Sequence, residues 1–219
     1  FMWYWGPVPI INIDLWHRVP STIHESVLPG TLLEQLCRLI YYSGMAQVNY
    51  HSTRNGKDPV SFSEAVVRGI APDGGLYVPS AFPSIDITDP HLQKLSYQQL
   101  AEYILSLYIT DFSKDELAAC VQGAYDDKFR DVGIAPIHSC GNAHFIELHH
   151  GRTLAFKDIA LSILPHFLTT AARRIGIDDT IVILTATSGD TGKAALEGFA
   201  DVDGVKIVVF YPTDGVSDV

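Results

Sequence analysis

The sequence has no run of lysines or arginines. Its 219 residues carry 15 Lys and Arg against 25 Asp and Glu, a formal charge of −10, so no basic patch is offered to a phosphate backbone or an anionic lipid surface. Nucleic acid and membrane are thereby set aside as partners, and a small soluble substrate is expected. Cysteine is scarce. Cys37, Cys120 and Cys140 are odd in number and far apart, giving neither a Cys-x-x-Cys pair nor a disulfide framework. The expected setting is the reducing cytoplasm. Long apolar runs are missing too: Pro7 and Pro9 break the first one and no lysine precedes it, so it reads as neither a membrane span nor a secretion signal.

With 47% hydrophobic and 18% charged residues, the chain can bury a substantial core in one or two domains. Residues 1–44 stand apart. They hold all three tryptophans, Trp3, Trp5 and Trp16, and begin on Phe1 rather than an initiator. This leader is either extraneous upstream sequence or a native extension, with a helix expected from Thr31 to Tyr42 behind a Thr31/Glu34 capping pair.

Residues 45–135 read as a mostly helical cap domain. Three Ser-x-x-Glu/Gln boxes, Ser61/Glu64, Ser96/Gln99 and Ser113/Glu116, should each start a helix. The first should end at Gly69, after which Pro72-Asp73-Gly74-Gly75 turns the chain into a short strand at Leu76-Tyr77-Val78. From residue 136 to 219 the pattern alternates: extended at 144–148, helical at 158–174, extended at 180–186, helical at 191–200, extended at 205–211. That order implies parallel β-α-β units and a partial α/β domain. The continuously apolar strands 181–184 and 207–210 are expected to be covered on both faces. Pro165 should kink or break the helix that follows Lys157.

Two segments carry the chemistry, each expected at the carboxyl end of a strand, where such sheets bind ligands. Lys157, in Leu154-Ala155-Phe156-Lys157-Asp158, opens a helix beside an aromatic ring, surroundings that favour a neutral, nucleophilic amine. A surface lysine at a helix start has the same spacing, so spacing alone leaves both readings open. Thr187-Ser188-Gly189-Asp190-Thr191-Gly192 offers hydroxyls, two glycines and the amides of a following helix, which suit an anion. A plain β-to-α turn is the other reading. A nucleotide P-loop is excluded, because Thr187 stands where its first glycine is needed and Ala194 where its Ser/Thr is needed. His138, Cys140, His144, His149 and His150 lack the spacing of a standard metal site. No metal is expected.

From Asn49 onward the chain resembles threonine synthase, a fold-type II pyridoxal phosphate enzyme. Tyr50-His51-Ser52-Thr53-Arg54 is similar to that family's opening motif. Phe62-Ser63-Glu64-Ala65-Val66 and Ala71-Pro72-Asp73-Gly74-Gly75-Leu76-Tyr77-Val78-Pro79 resemble its N-terminal signature, and Leu154 to Asp158 its cofactor-lysine segment. The resemblance implies a parallel sheet with flanking helices behind a helical cap. It further implies that Lys157, beside Phe156, holds pyridoxal 5'-phosphate and transfers protons, and that O-phosphohomoserine is converted with water to threonine and phosphate. Thr187, Ser188, Gly189, Asp190, Thr191 and Gly192 would bind substrate, assisted by Ser52, Thr53 and Arg54. The family's phosphate-cradling loop and the residue that meets the pyridine nitrogen would lie past Val219, so a fragment with little activity alone is expected, with the C-terminal portion as its partner. A serine/threonine deaminase-like enzyme of the same fold type and a noncatalytic binding protein are the alternatives.

Overall fold

The computed structural model describes residues 47–213 apart from Ser188. The helix expected at 31–42 lies outside them. The described residues belong to a compact unit that begins at Gln47.

The first part is built around a small antiparallel pair, β1 (Tyr50–Ser52) with β2 (Tyr77–Pro79), in which Ser52 faces Tyr77. Between them runs α1 (Phe62–Arg68), and beyond them α2 (Tyr97–Ser106) and α3 (Lys114–Ala124). Each helix begins at its expected capping box: the serine side chain accepts from the N3 amide and the N3 side chain returns to the serine amide. Two otherwise orphaned donors are satisfied per helix by residues four apart or fewer, which is why the sequence alone locates these starts. Gly69 closes α1.

The segment around 144–148 differs from expectation. β3 (Ile137–Cys140) and β4 (Ala143–Ile146) pair antiparallel as a hairpin with Cys140 opposite Ala143. The two linking residues, Gly141 and Asn142, make a tight turn with Gly141 at φ 59°, so the strand is consumed by its sequence neighbour rather than entering a parallel sheet.

A single long helix follows, α4 (Asp158–Arg174), and then a β-α-β unit: β5 (Ile181–Ala186), α5 (Asp190–Phe199) and β6 (Val205–Phe210), with β5 and β6 parallel. The architecture is α/β, with flanking helices beside a parallel pair. Helix α5 packs on β6 and on α4. Its side of the sheet is partly covered, whereas Val182, Leu184, Val208 and Phe210 on the other side are exposed. Among the described residues, the expected cover on both faces is therefore present on one.

Helix α4 is the spine. Ile163, Phe167 and Ala171, spaced four apart, bury against Leu117, Cys120, Val121 and Ala124 of α3. The Phe62 ring of α1 meets Phe112 at 5.5 Å and Phe167 at 5.4 Å, both edge-on, the arrangement ring quadrupoles favour. Pro165 lies inside α4 without ending it. Proline leaves the Leu161 carbonyl without its usual helical donor. That carbonyl faces Gly198 of α5, where an added Cβ would collide with it, so the missing bond coincides with a close approach of α4 and α5.

Candidate active site

Lys157 is presented by a turn rather than by a strand end. Ten residues separate it from β4, and Gly151 to Phe156 form a tight irregular path. Within it the Leu154 amide donates to the Gly151 carbonyl at 3.2 Å and Leu154 holds φ 64°. Lys157 is half-buried at the N-cap of α4 in helical geometry, with no side-chain cap. Its Nζ lies 5.1 Å from the centre of the Phe156 ring. The amine makes no hydrogen bond or ion pair among the described residues, while the Lys157 carbonyl accepts from the Leu161 amide at 2.9 Å. Phe156 is 61% exposed, so the expected apolar wall is an open ring face beside the amine.

Sequence reasoning missed the group that organises this turn. Asp158 is buried and accepts from the Thr153 amide at 2.8 Å and the Thr153 hydroxyl at 2.5 Å. An acidic residue in a first helical turn reads from sequence as a dipole partner; only the left-handed Leu154 bends Thr153 round to meet it. Upstream, His150 Nε2 lies 2.8 Å from Glu147 Oε2, and the His150 carbonyl accepts from the Arg130 amide at 2.9 Å. His149 stacks on His150 at 4.5 Å. Glu147, His149 and His150 bring ligand-type atoms within 4.8 Å of one another, but the rings lie face to face at 27° and the carboxylate is already engaged.

The loop 187–192 does leave a strand end directly, running from β5 into α5. Ser188 lies outside the described residues. Gly189 is the N-cap of α5 with no side-chain cap, and its amide donates to Thr187 Oγ1 at 3.4 Å. The amides of Asp190 and Thr191 find no acceptor among the described residues, which leaves two donors at the positive end of a helix. Gly192 is buried where a Cβ would sit 2.5 Å from Thr187 Cγ2 and 3.2 Å from Val209 Cγ1.

Ser52, Thr53 and Arg54 are brought together with the 73–76 turn. The Ser52 hydroxyl donates to Asp73 Oδ1 at 2.7 Å and accepts from the Arg54 amide at 3.2 Å; the Thr53 hydroxyl accepts from the Leu76 amide at 3.0 Å. Arg54 Nη1 donates to the Asp73 carbonyl at 3.1 Å. The Ser52 hydroxyl, with the Gly75 amide, holds the Asp73 carboxyl below its usual range. Two of the three side chains are thus spent on local structure, and the exposed Arg54 keeps donors to spare.

No hydrogen bond, ion pair or ring contact joins these three groups among the described residues. The helices carrying two of them touch at Leu161 and Gly198, and Arg152 pairs with Glu197 at 2.8 Å. Gly198 lies eight residues past the start of α5, roughly 12 Å along its axis. A cleft of about 330 Å³ lies behind the lysine turn, lined by Lys128, Arg152, Asp158, Ser162, His166 and Glu197 among others. Lys157 and the 187–192 loop do not line it. An unbonded amine on a fixed turn, and an uncapped helix start with two open amides, are nevertheless the donor types that an aldehyde cofactor and an anionic substrate require.

Residues 49–125 match the family model described as threonine synthase N terminus. The chain carries the N-terminal region of the threonine synthase family. It is 38% identical over 184 residues to the threonine synthase of Schizosaccharomyces pombe, covering 80% of this chain and 36% of that protein. To threonine synthase-like 1 of Pongo abelii it is 39% identical over 167 residues, covering 72% of this chain and 22% of that protein. The crystal structure of PLP-bound threonine synthase from Brucella melitensis superposes with a TM-score of 0.70 at 33% identity, covering 78% of this chain and 37% of that one. The chain thus spans little more than a third of the length of the threonine synthases it matches. Among the described residues no helix is long and apolar enough to cross a membrane.

Proposed function

We propose that this chain is part of a threonine synthase that converts O-phosphohomoserine and water to threonine and phosphate, with Lys157 as the residue that holds pyridoxal 5'-phosphate. The observation that carries the reading is the state of Lys157: half-buried, unbonded except to the Phe156 ring, and set on a turn fixed from both sides. An amine so placed can bond an aldehyde carbon without first giving up a partner. When bound, pyridoxal phosphate supplies the electron sink for carbanion chemistry at the substrate.

The chain's own residues have distinct tasks. Lys157 would hold the cofactor through its amine and would move protons at the substrate's α and β carbons. Phe156 would offer an apolar ring face beside that amine. Thr187, Ser188, Gly189, Asp190, Thr191 and Gly192 receive the substrate's carboxylate or phosphate on the open amides and hydroxyls at the start of α5. Arg54 is the member of the Ser52-Thr53-Arg54 group with donors left for a phosphate; Ser52 and Thr53 hold it in place. The reaction class is that of a pyridoxal phosphate-dependent carbon–oxygen lyase acting in the cytoplasm. Residues 45–135 serve as a helical cap and 136–219 as part of the cofactor domain. The groups that cradle the cofactor phosphate and meet its ring nitrogen belong to a C-terminal portion, so the chain alone has little activity.

Incubation with pyridoxal 5'-phosphate, borohydride reduction and peptide mass mapping test this directly. The pyridoxyl mass should fall on the peptide containing Lys157 and vanish in Lys157→Ala. Label spread evenly over the surface lysines would sink the assignment. Threonine formation from O-phosphohomoserine by the 219-residue chain would sink the division of the site between two portions.

A further inference from the structure

We propose that Asp158 and Thr153 are positioning residues for Lys157, a clamp that fixes the direction in which the lysine leaves the backbone; the inference rests on the reading of Lys157 as the cofactor lysine. Asp158 follows Lys157 directly and is only 5% exposed. A carboxylate taken out of water this far must be satisfied by hydrogen bonds. Its two recorded donors both belong to Thr153, the amide at 2.8 Å and the hydroxyl at 2.5 Å. The carboxylate is thus turned back onto the preceding loop, while the N-cap of α4 is Lys157, whose side chain offers no acceptor.

The segment 153–158 is bound at other points too. The Asp158 amide donates to the Ala155 carbonyl at 3.0 Å, and the Ala155 amide donates to Thr153 Oγ1 at 3.4 Å. Gly151 packs so closely on Asp158 that any Cβ there would strike its carboxylate. Leu154 adopts φ 64° in the middle of the loop, a backbone state that a branched residue keeps only where its surroundings impose it. A solvent-facing acid placed for the helix dipole would need none of this. The turn and the helix are locked to each other across Lys157. The long lysine stem supplies reach, and the fixed backbone supplies aim, which is where orientation contributes to rate.

Thr153→Val keeps the shape and removes the hydroxyl donor, whereas Thr153→Ser keeps the donor. In the chain without cofactor, hydrogen exchange across residues 153–158 should speed up in Thr153→Val and stay at the unaltered level in Thr153→Ser, with α3 unchanged in both. On addition of pyridoxal 5'-phosphate, borohydride-trapped label on Lys157 should form about tenfold more slowly in the valine variant, the loss expected for one hydrogen bond to a charged acceptor, and be restored by serine. Exchange that is equal in the two variants overturns the clamp, as does a loss of protection spread over every helix. A loosened loop with an unchanged labelling rate also overturns it. If the unaltered chain takes its label away from Lys157, the functional reading fails, while the exchange comparison still decides whether the clamp exists.

Discussion

Gly192 shows how little room surrounds the loop assigned to the substrate. A methyl group there would meet Thr187 Cγ2 at 2.5 Å and Val209 Cγ1 at 3.2 Å, so the first turn of α5 would have to lift from β6. Gly192→Ala is expected to cost about 1–3 kcal/mol, the usual range for overpacking, measured as a lower urea midpoint with an unchanged slope. A variant as stable as the parent would show that the loop relaxes freely. His166 gives a second test at this scale. Burial first, and the Lys128 ammonium second, hold its imidazole below the ordinary range, against smaller opposing effects of the Gly123 carbonyl and Asp126. The unfolded chain therefore takes up the proton before the folded one as pH falls. Stability from this group is complete above about 6.5 and declines as pH drops from there toward the lower folded value. His166→Asn should flatten that part of the decline in urea midpoints measured across this window. Parallel pH profiles for the two proteins would contradict the assignment.

Among the elements, α3 and α4 illustrate which contacts a sequence discloses. Ser113 caps α3, and Glu116, its capping-box partner, also accepts from Arg174 Nη1 at 2.9 Å in the last turn of α4. Ser113→Ala should lower stability by about 1 kcal/mol, read from thermal unfolding, and Arg174→Ala should cost less because that pair is partly exposed. The reverse order would mean that the interhelix pair, not the cap, secures this end. Such caps were legible because donor and acceptor lie three residues apart. The β3–β4 hairpin was equally local, and Gly141-Asn142 between two extended runs was the signal that would have revealed it. What could not be read was the close approach of Gly198 to the Leu161 carbonyl, the carbonyl that Pro165 leaves without its helical donor, because the two residues are far apart in sequence. The lysine and the anion loop were legible as motifs; the Asp158–Thr153 bonds were not, because they depend on a left-handed residue that nothing in its identity, Leu154, announces.

At the scale of the whole molecule, the described elements cover the parallel pair on one side only. Leu184 is 57% and Phe210 60% exposed, and with Val182 and Val208 they share a face, since Val182 stands opposite Lys206 and Leu184 opposite Val208. Water-soluble monomers rarely keep a contiguous apolar patch of this kind, and a two-stranded sheet also leaves both edges unpaired. Under the proposed reading the face belongs against the C-terminal portion of the enzyme. In the chain by itself, a net charge of −10 opposes association over distances beyond contact, but it is screened within about 8–10 Å at ordinary salt, leaving the patch free to pair. Sedimentation velocity at rising concentration should therefore show self-association that strengthens with added salt. Leu184→Lys combined with Val208→Glu places opposite charges on directly facing residues, which a strand pair tolerates or favours, and should return the chain to monomer without lowering its melting temperature. An unaltered chain that stays monomeric throughout, or a double variant that associates as readily, would show that this face is not what holds copies together.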